Sequence, residues 1–301
     1  MRLTQVNVHP LKSTAPRARH SCQVQPRGLV NDRSWMVVDR AGEALTAREC
    51  HRLFRIVSDT PTTAPGQRAA LRLSAPGLLD PVLEDLLIDG PEGPTAEVSL
   101  FGRPLRATYA GPEADRWLTR ALGVDGVRLV WCHDPSLRVL NPDYSQPGDH
   151  TAFADAYPVT LASEASLRRL NDLVTQTALE RGEEPPSPLQ MQRFRPNLVV
   201  DGEEPFAEDH WGRIEVGSVV FRVAKPTGRC VMTTVDPVTL DRGPEPIRTL
   251  AVHRRQPGRG GEPGSGNTLF AVSLIPELSA GAIGQVTVGD QVRALPAGPG
   301  R

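Results

Sequence analysis

The chain has 301 residues, a net charge of −1 and an isoelectric point near 6.7, so no overall field draws it to nucleic acid or to an anionic membrane. Aromatic residues make up only 5%, which argues against a base-stacking surface. The four cysteines stand far apart, at Cys22, Cys50, Cys132 and Cys230, and such spacing excludes a local iron–sulfur cysteine run and a disulfide framework.

Widely spaced thiols fit a reducing cytoplasm. MRLTQVNVHPLKS carries neither the apolar core nor the small-residue cleavage site of a signal peptide, and no apolar run approaches a membrane span. The length suits one large domain or two smaller ones.

Residues 1–110 read as mostly β. RLTQVNVHPL alternates apolar and polar, and short strands follow at SWMVVD, LFRIVSD, ALRLS and AEVSLFG, each bounded by turn-forming residues. Such a series suggests a small barrel or sandwich. Arg33 stands at a turn exit just before one strand. Residues 111–123 predict a helix, with Glu113 and Asp115 in the first turn, Trp117, Leu118, Ala121 and Leu122 on its apolar face, and Gly123 to end it. A domain transition is placed here.

VRLVWC then reads as a strand and LNPDYSQPGDHTAFAD as a long polar loop, of the kind that forms lids and binding loops. SEASLRRLNDLVTQTALERG predicts the strongest helix, capped by Ser163 or Ser166 and ended by Gly182. FRPNLVVDG places Arg195 and Asn197 at the mouth of a strand, where a guanidinium fork and an amide could meet a ligand. RIEVGSVVFRVAK, TLFAVSLIP and GQVTVGDQVRAL supply further strands. GRGGEPGSG resembles a phosphate loop only in composition, lacking the GxxxxGK[ST] pattern. GxSxG and HExxH are both absent, so no hydrolase reading is supported, and His9 reads as a packing or hydrogen-bonding residue.

The densest chemistry lies at Val223 to Pro237, VAKPTGRCVMTTVDP. Pro226 and Gly228 predict a tight turn, and VMTTV a strand. Cys230 falls between them, with Lys225 and Arg229 beside it, surroundings that favour a thiolate nucleophile or metal ligand over an inert buried thiol. Of the 34 Lys and Arg residues only Lys12 and Lys225 are lysine. A lysine is a compact point charge for phosphates and oxyanions that arginine does not always replace, so the two lysine segments are expected to meet at one anionic site.

HPLKS, NDRSWMVVD, FADAYP, SEASL, FRPNLVV, IEVGSVVF, KPTGRCVMTTVDP and IGQVTVGD occur in this order over nearly the whole chain. As an ordered set they resemble the MOSC proteins, in the branch with an N-terminal MOSC β-barrel domain. The resemblance implies a β-barrel-rich α+β protein, with a MOSC N-terminal β-barrel domain over 1–115 and a MOSC domain over 116–301. It also implies a molybdenum cofactor, with Cys230 as metal ligand and catalytic thiolate. Lys12 and Ser13 would bind the anionic end of the pterin, Arg33, Arg195 and Asn197 would complete the cradle, and Gly228 and Arg229 would contact it through the turn. Gly228 and Thr227 depart from the family's serine and cysteine, and Ser265-Gly266-Asn267-Thr268 from an FGQ-type segment, so side-chain contacts at those places are not carried over.

The implied activity is reduction of small N-hydroxylated compounds by oxygen-atom transfer, with electrons from a separate iron–sulfur or flavin reductase. The alternative is a cofactor carrier or sulfur-handling module without turnover of its own. Loops 141–157 and 254–267 are where substrate choice is expected to be set.

Overall fold

The computed structural model of the chain describes residues 1–78, 80, 83–256 and 267–296. A nine-stranded sheet dominates it. Its strands run in the order Val292–Leu295, Arg213–Val216, Val219–Arg229, Asn267–Pro276, Val159–Ser163, Leu198–Val200, Leu3–Val8 and Arg17–Arg19, with Arg255–Gln256 added beside Asn267–Pro276. Neighbours are antiparallel except Val159–Ser163 with Leu198–Val200. Those two are joined through the helix Glu164–Glu180, as a parallel pair requires a crossover. The first strand of the chain therefore completes a sheet built mostly from the second half.

The central strands of this sheet are buried on both faces. Leu161, Leu198, Phe221 and Leu274 enter a core with Val6, Val8 and Val286. The intervening Ala162, Val199 and Phe270 pack with Leu170, Val174 and Leu250 of the helical layer. That arrangement explains why VTLAS and NLVV read as continuous apolar runs instead of alternating.

A four-stranded sheet, Trp35–Val38, Arg128–Trp131, Arg103–Tyr109 and Thr95–Leu100, packs with the three-stranded Val57–Asp59, Leu71–Ser74, Leu86–Ile88 sheet and the helix Pro112–Leu122 around a separate core. That helix ends where the sequence places its end: Gly123 is left-handed, φ 67°, and its N–H closes on Thr119 O. A third small sheet joins Gly284–Thr287 to Ser21–Gln25 and Gly28–Leu29. The protein is thus strand-dominated α+β, as expected. Among the described residues no helix is long and apolar enough to cross a membrane.

Three local expectations are corrected. KPTG is not a tight turn: the strand Val219–Arg229 runs through it, with irregularities between Val223 and Lys225 and between Pro226 and Gly228. A bulge lets a proline sit in a strand despite its missing N–H. VMTTV is not a strand, because Val231–Thr234 forms a turn of 3₁₀ helix. Thr233 Oγ1 donates to Cys230 O at 3.0 Å and Thr234 Oγ1 to Val231 O at 2.7 Å, so the side chains support the helical turn against their β propensity. Ser163 stands at the N-cap of its helix without a side-chain capping bond, and Ser166 donates its hydroxyl to Glu208 instead. The Gly-rich segment 257–266 lies outside the described residues.

Candidate functional site

A cavity of about 370 Å³ contains Cys230 at the end of the long strand. Lys12, Ser13, Arg33, Arg195, Gly228 and Arg229 all line it, so the two lysine-bearing segments do meet. Wider grooves of about 870 and 940 Å³ lie elsewhere on the molecule. Neither contains a cysteine, and in both the acidic side chains match or outnumber the basic ones. Chemistry, not size, marks the smaller cavity.

Backbone conformation concentrates there. Ser13, Arg33 and Arg195 have φ of 70°, 47° and 51°, a left-handed region that costs a side-chain-bearing residue roughly 1–3 kcal/mol. Tertiary contacts hold the two arginines. Arg33 pairs with the buried Asp32, which also accepts His9 N at 2.7 Å. Arg33 Nη1 donates to Asn197 Oδ1 at 3.0 Å and Nη2 to Arg195 O at 3.2 Å. Arg195 Nη1 donates to Thr14 O at 2.7 Å, and its Nη2 lies 3.1 Å from His9 Nδ1. An arginine can only donate, so that nitrogen of His9 is the acceptor. Burial, then the charges of Arg195 and Arg33, hold His9 well below its ordinary range, and it is a neutral positioning residue.

Asn197 does not line the cavity. It is 1% exposed, and its amide is spent on protein: Oδ1 also accepts Thr160 N at 3.1 Å and Nδ2 donates to Asn7 O at 3.1 Å. It stands behind Arg33 and fixes it, joining three strands of the main sheet.

Two charged lining residues, one beside Lys12 and one beside Cys230, escaped the sequence reading. Asp155, from FADAYP, pairs with the Lys12 ammonium, which also donates to Phe153 O at 2.9 Å. The carboxylate is 58% exposed toward the cavity while its partner is 4% exposed, so water reaches the pair from one side only. Desolvation opposes ionisation of Asp155, but Lys12, Arg33 and Arg48 outweigh it and hold the carboxyl well below the usual range. Desolvation pushes Lys12 down to about 8, against the pull of Asp155. Arg48, the second, faces Cys230 and lies 4.6 Å from the ring centre of Phe101. No motif marks it, since it comes from a different sheet system 182 positions earlier in the chain.

Arg229 is held by Phe270 O at 2.8 Å and Phe194 O at 3.0 Å, yet its buried Nη2 has no partner. Burial lowers it to about 10, and burial together with the charge of Arg33 lowers Arg195 to about 9. Both still carry their charge at neutral pH. Counting Arg193 and Lys225, seven cations line the cavity against the single carboxylate of Asp155. Such a lining is electrostatically complementary to an anion. Cys22 and Cys132 are buried, and desolvation raises their thiols to about 12 and about 11. Cys50 is also buried and raised. Only Cys230 of the four is partly open.

Residues 1–125 match the family model of the MOSC N-terminal beta barrel domain and residues 148–293 that of the MOSC domain. This chain belongs to the MOSC family. It is 32% identical over 263 residues to mitochondrial amidoxime reducing component 2 of Rattus norvegicus, covering 84% of this chain and 72% of that one. It is 30% identical over 265 residues to mitochondrial amidoxime-reducing component 1 of Homo sapiens, with 84% and 72% covered. To molybdenum cofactor sulfurase 1 of Aedes aegypti it is 30% identical over 251 residues, covering 83% of this chain but 32% of that one. In this MOSC protein Gly228 carries a further feature of the site: a Cβ there would come 3.3 Å from the Asn267 side chain. Asn267 lines the cavity at the start of its strand, while Ser265 and Gly266 lie outside the described residues.

Proposed function

We propose that this MOSC protein is a molybdenum cofactor-dependent reductase that removes oxygen from small N-hydroxylated compounds such as amidoximes and hydroxylamines. The single observation that carries the reading is the partly open Cys230 thiol in a cavity lined by seven cations. The residues fit the cofactor. A thiolate is a soft ligand for a transition metal, and the orphaned Nη2 of Arg229 is a buried donor waiting for an acceptor. Among the described residues no group of three or more His, Cys, Asp or Glu side chains is placed to hold a metal ion by itself. The names of the amidoxime reducing relatives support the reduction, and that of the sulfurase supports the cofactor.

When bound, the cofactor supplies the two-electron oxygen-atom transfer chemistry. Cys230 would ligate its metal, and Lys12, Ser13, Arg33, Arg195 and Arg229 would hold its phosphate and ring amides. Gly228 would let the backbone approach closely, and Asn197 and His9 would keep the two central guanidiniums in place. Each charge-assisted contact contributes roughly 1.5–3 kcal/mol. Electrons would come from a separate iron–sulfur or flavin reductase, a reading supported by the scattered cysteines. The same free thiols support a reducing, cytoplasmic location.

Protein expressed in a host that makes the cofactor is expected to carry near-stoichiometric molybdenum and to release pterin on denaturation, with the metal lost in Cys230→Ala. With an electron donor it is expected to reduce benzamidoxime. Absence of both molybdenum and pterin, or failure to reduce any N-hydroxylated probe, overturns the reading. The sulfurase match favours a second one, a carrier that hands the cofactor on, which would show as ready transfer to an apo-enzyme without turnover.

A further inference from the structure

Three cations of the cavity, Arg48, Arg193 and Lys225, take no part in the grip just described, and one of them stands apart. Lys225 lies where the long strand bulges, with Nζ 4.9 Å from the ring centre of Tyr144 and 5.8 Å from that of Tyr157. The other cations have acceptors: Lys12 has Asp155, Arg33 has Asp32, Arg193 has Asp236, Arg195 and Arg229 have backbone carbonyls, and Arg48 faces Cys230. Among the described residues the Lys225 ammonium has only its two aromatic faces. Rings hold a cation in place without using its N–H bonds as an acceptor would. Lys225 therefore keeps three donors for an incoming anion, and no ion pair must break to receive it.

Position indicates which anion. Tyr144 and Tyr157 both come from the long irregular stretch between Leu137 and Val159, which covers one of the two segments the sequence marks for substrate choice. With Leu140, Ala224 and Ile275 they form a small apolar cluster separate from the main cores. Leu140, Ala224 and Ile275 are buried behind Tyr157, the member of the cluster that lines the cavity, so the ammonium stands beside one aromatic side chain of the lining. On the functional reading above, we infer that Lys225 anchors an acidic group, a carboxylate or phosphate monoester, on an N-hydroxylated substrate whose apolar body lies against Tyr157. The enzyme's substrates are then organic acids bearing an N–O group, not neutral amidoximes alone.

An acidic group could also come from the cofactor, and the test separates the two sources. The cofactor-loaded protein, Lys225→Gln and Lys225→Arg are compared with benzamidoxime and 4-carboxybenzamidoxime. Binding of benzamide and 4-carboxybenzamide, which have no N–O bond to reduce, is measured by calorimetry. The expected kcat/KM ratio of acid to neutral probe is at least about tenfold in the native protein, the strength of one charge-assisted contact. It should fall toward one in Lys225→Gln and largely return in Lys225→Arg, with the amide Kd ratio moving in parallel. A ratio that Lys225→Gln leaves unchanged overturns the proposal. So does a loss of molybdenum and pterin beyond twofold in Lys225→Gln that Lys225→Arg restores, since that assigns the ammonium to the cofactor. If neither probe is reduced, the functional reading falls, and the amide binding ratio still decides whether Lys225 holds an acid.

Discussion

Truncating Asn197 to alanine separates a residue that touches the cofactor from one that holds the wall behind it. The side chain makes three hydrogen bonds of 3.0 to 3.1 Å, to Arg33, Thr160 and Asn7, and is 1% exposed. Alanine leaves the Thr160 N–H and the Asn7 carbonyl short of a partner in the core, at about 1–3 kcal/mol each. Arg33 keeps Asp32 and Arg195 O, so its loss is smaller. The sum, about 3 kcal/mol, is a large part of a typical folding stability. Urea unfolding monitored by tryptophan fluorescence should show this as a lower midpoint with an unchanged slope. Asn197→Asp is the control: it keeps the acceptor for Arg33 and Thr160 and loses the donor to Asn7. Cofactor affinity should fall less in Asn197→Asp than in Asn197→Ala. If Asn197→Ala is within about 0.5 kcal/mol of the native protein, a change typical of surface sites, yet has lost its molybdenum, then Asn197 contacts the cofactor directly and the positioning argument is wrong.

Cofactor-free protein treated briefly with iodoacetamide near neutral pH should gain one label, on Cys230, by peptide mass spectrometry. Cys22 and Cys132 are protected by burial and by thiols raised to about 12 and about 11, since the thiolate is the reactive form. Affinity of the cavity for inorganic phosphate should weaken as pH rises through about 8, where the desolvated Lys12 loses its charge, and Lys12→Met should flatten that part of the profile. For stability the sign is opposite. The folded Lys12 value, about 8, lies below the ordinary 10.5, so the unfolded chain binds the extra proton between those values and this group's contribution to stability rises with pH there. Gly28→Ala should destabilise by more than about 2 kcal/mol, because φ is +111° and a Cβ would lie 2.9 Å from Pro158 O; an unfolding midpoint equal to the native one would refute it.

The local elements were legible because their signals are local. Alternation marked Leu3–Val8, acidic residues and Gly123 bounded the helix Pro112–Leu122, and the rarity of lysine singled out Lys12 and Lys225. The motifs around Cys230 and FRPN named the cysteine and several of the cations that line the cavity. Tertiary structure decided the rest, for physical reasons that a linear reading does not contain. Pro226 stays in a strand because a bulge against Asn267–Pro276 removes the need for its N–H. Arg48 reaches Cys230 only through the docking of two sheet systems. Asn197 and Asp155 differ in what packs around them: the amide meets two strands and Arg33 and is used up inside the wall, while the carboxylate meets a buried ammonium and open space. Residue type fixed what each side chain can do; the packing fixed which of those capacities is left over for a ligand.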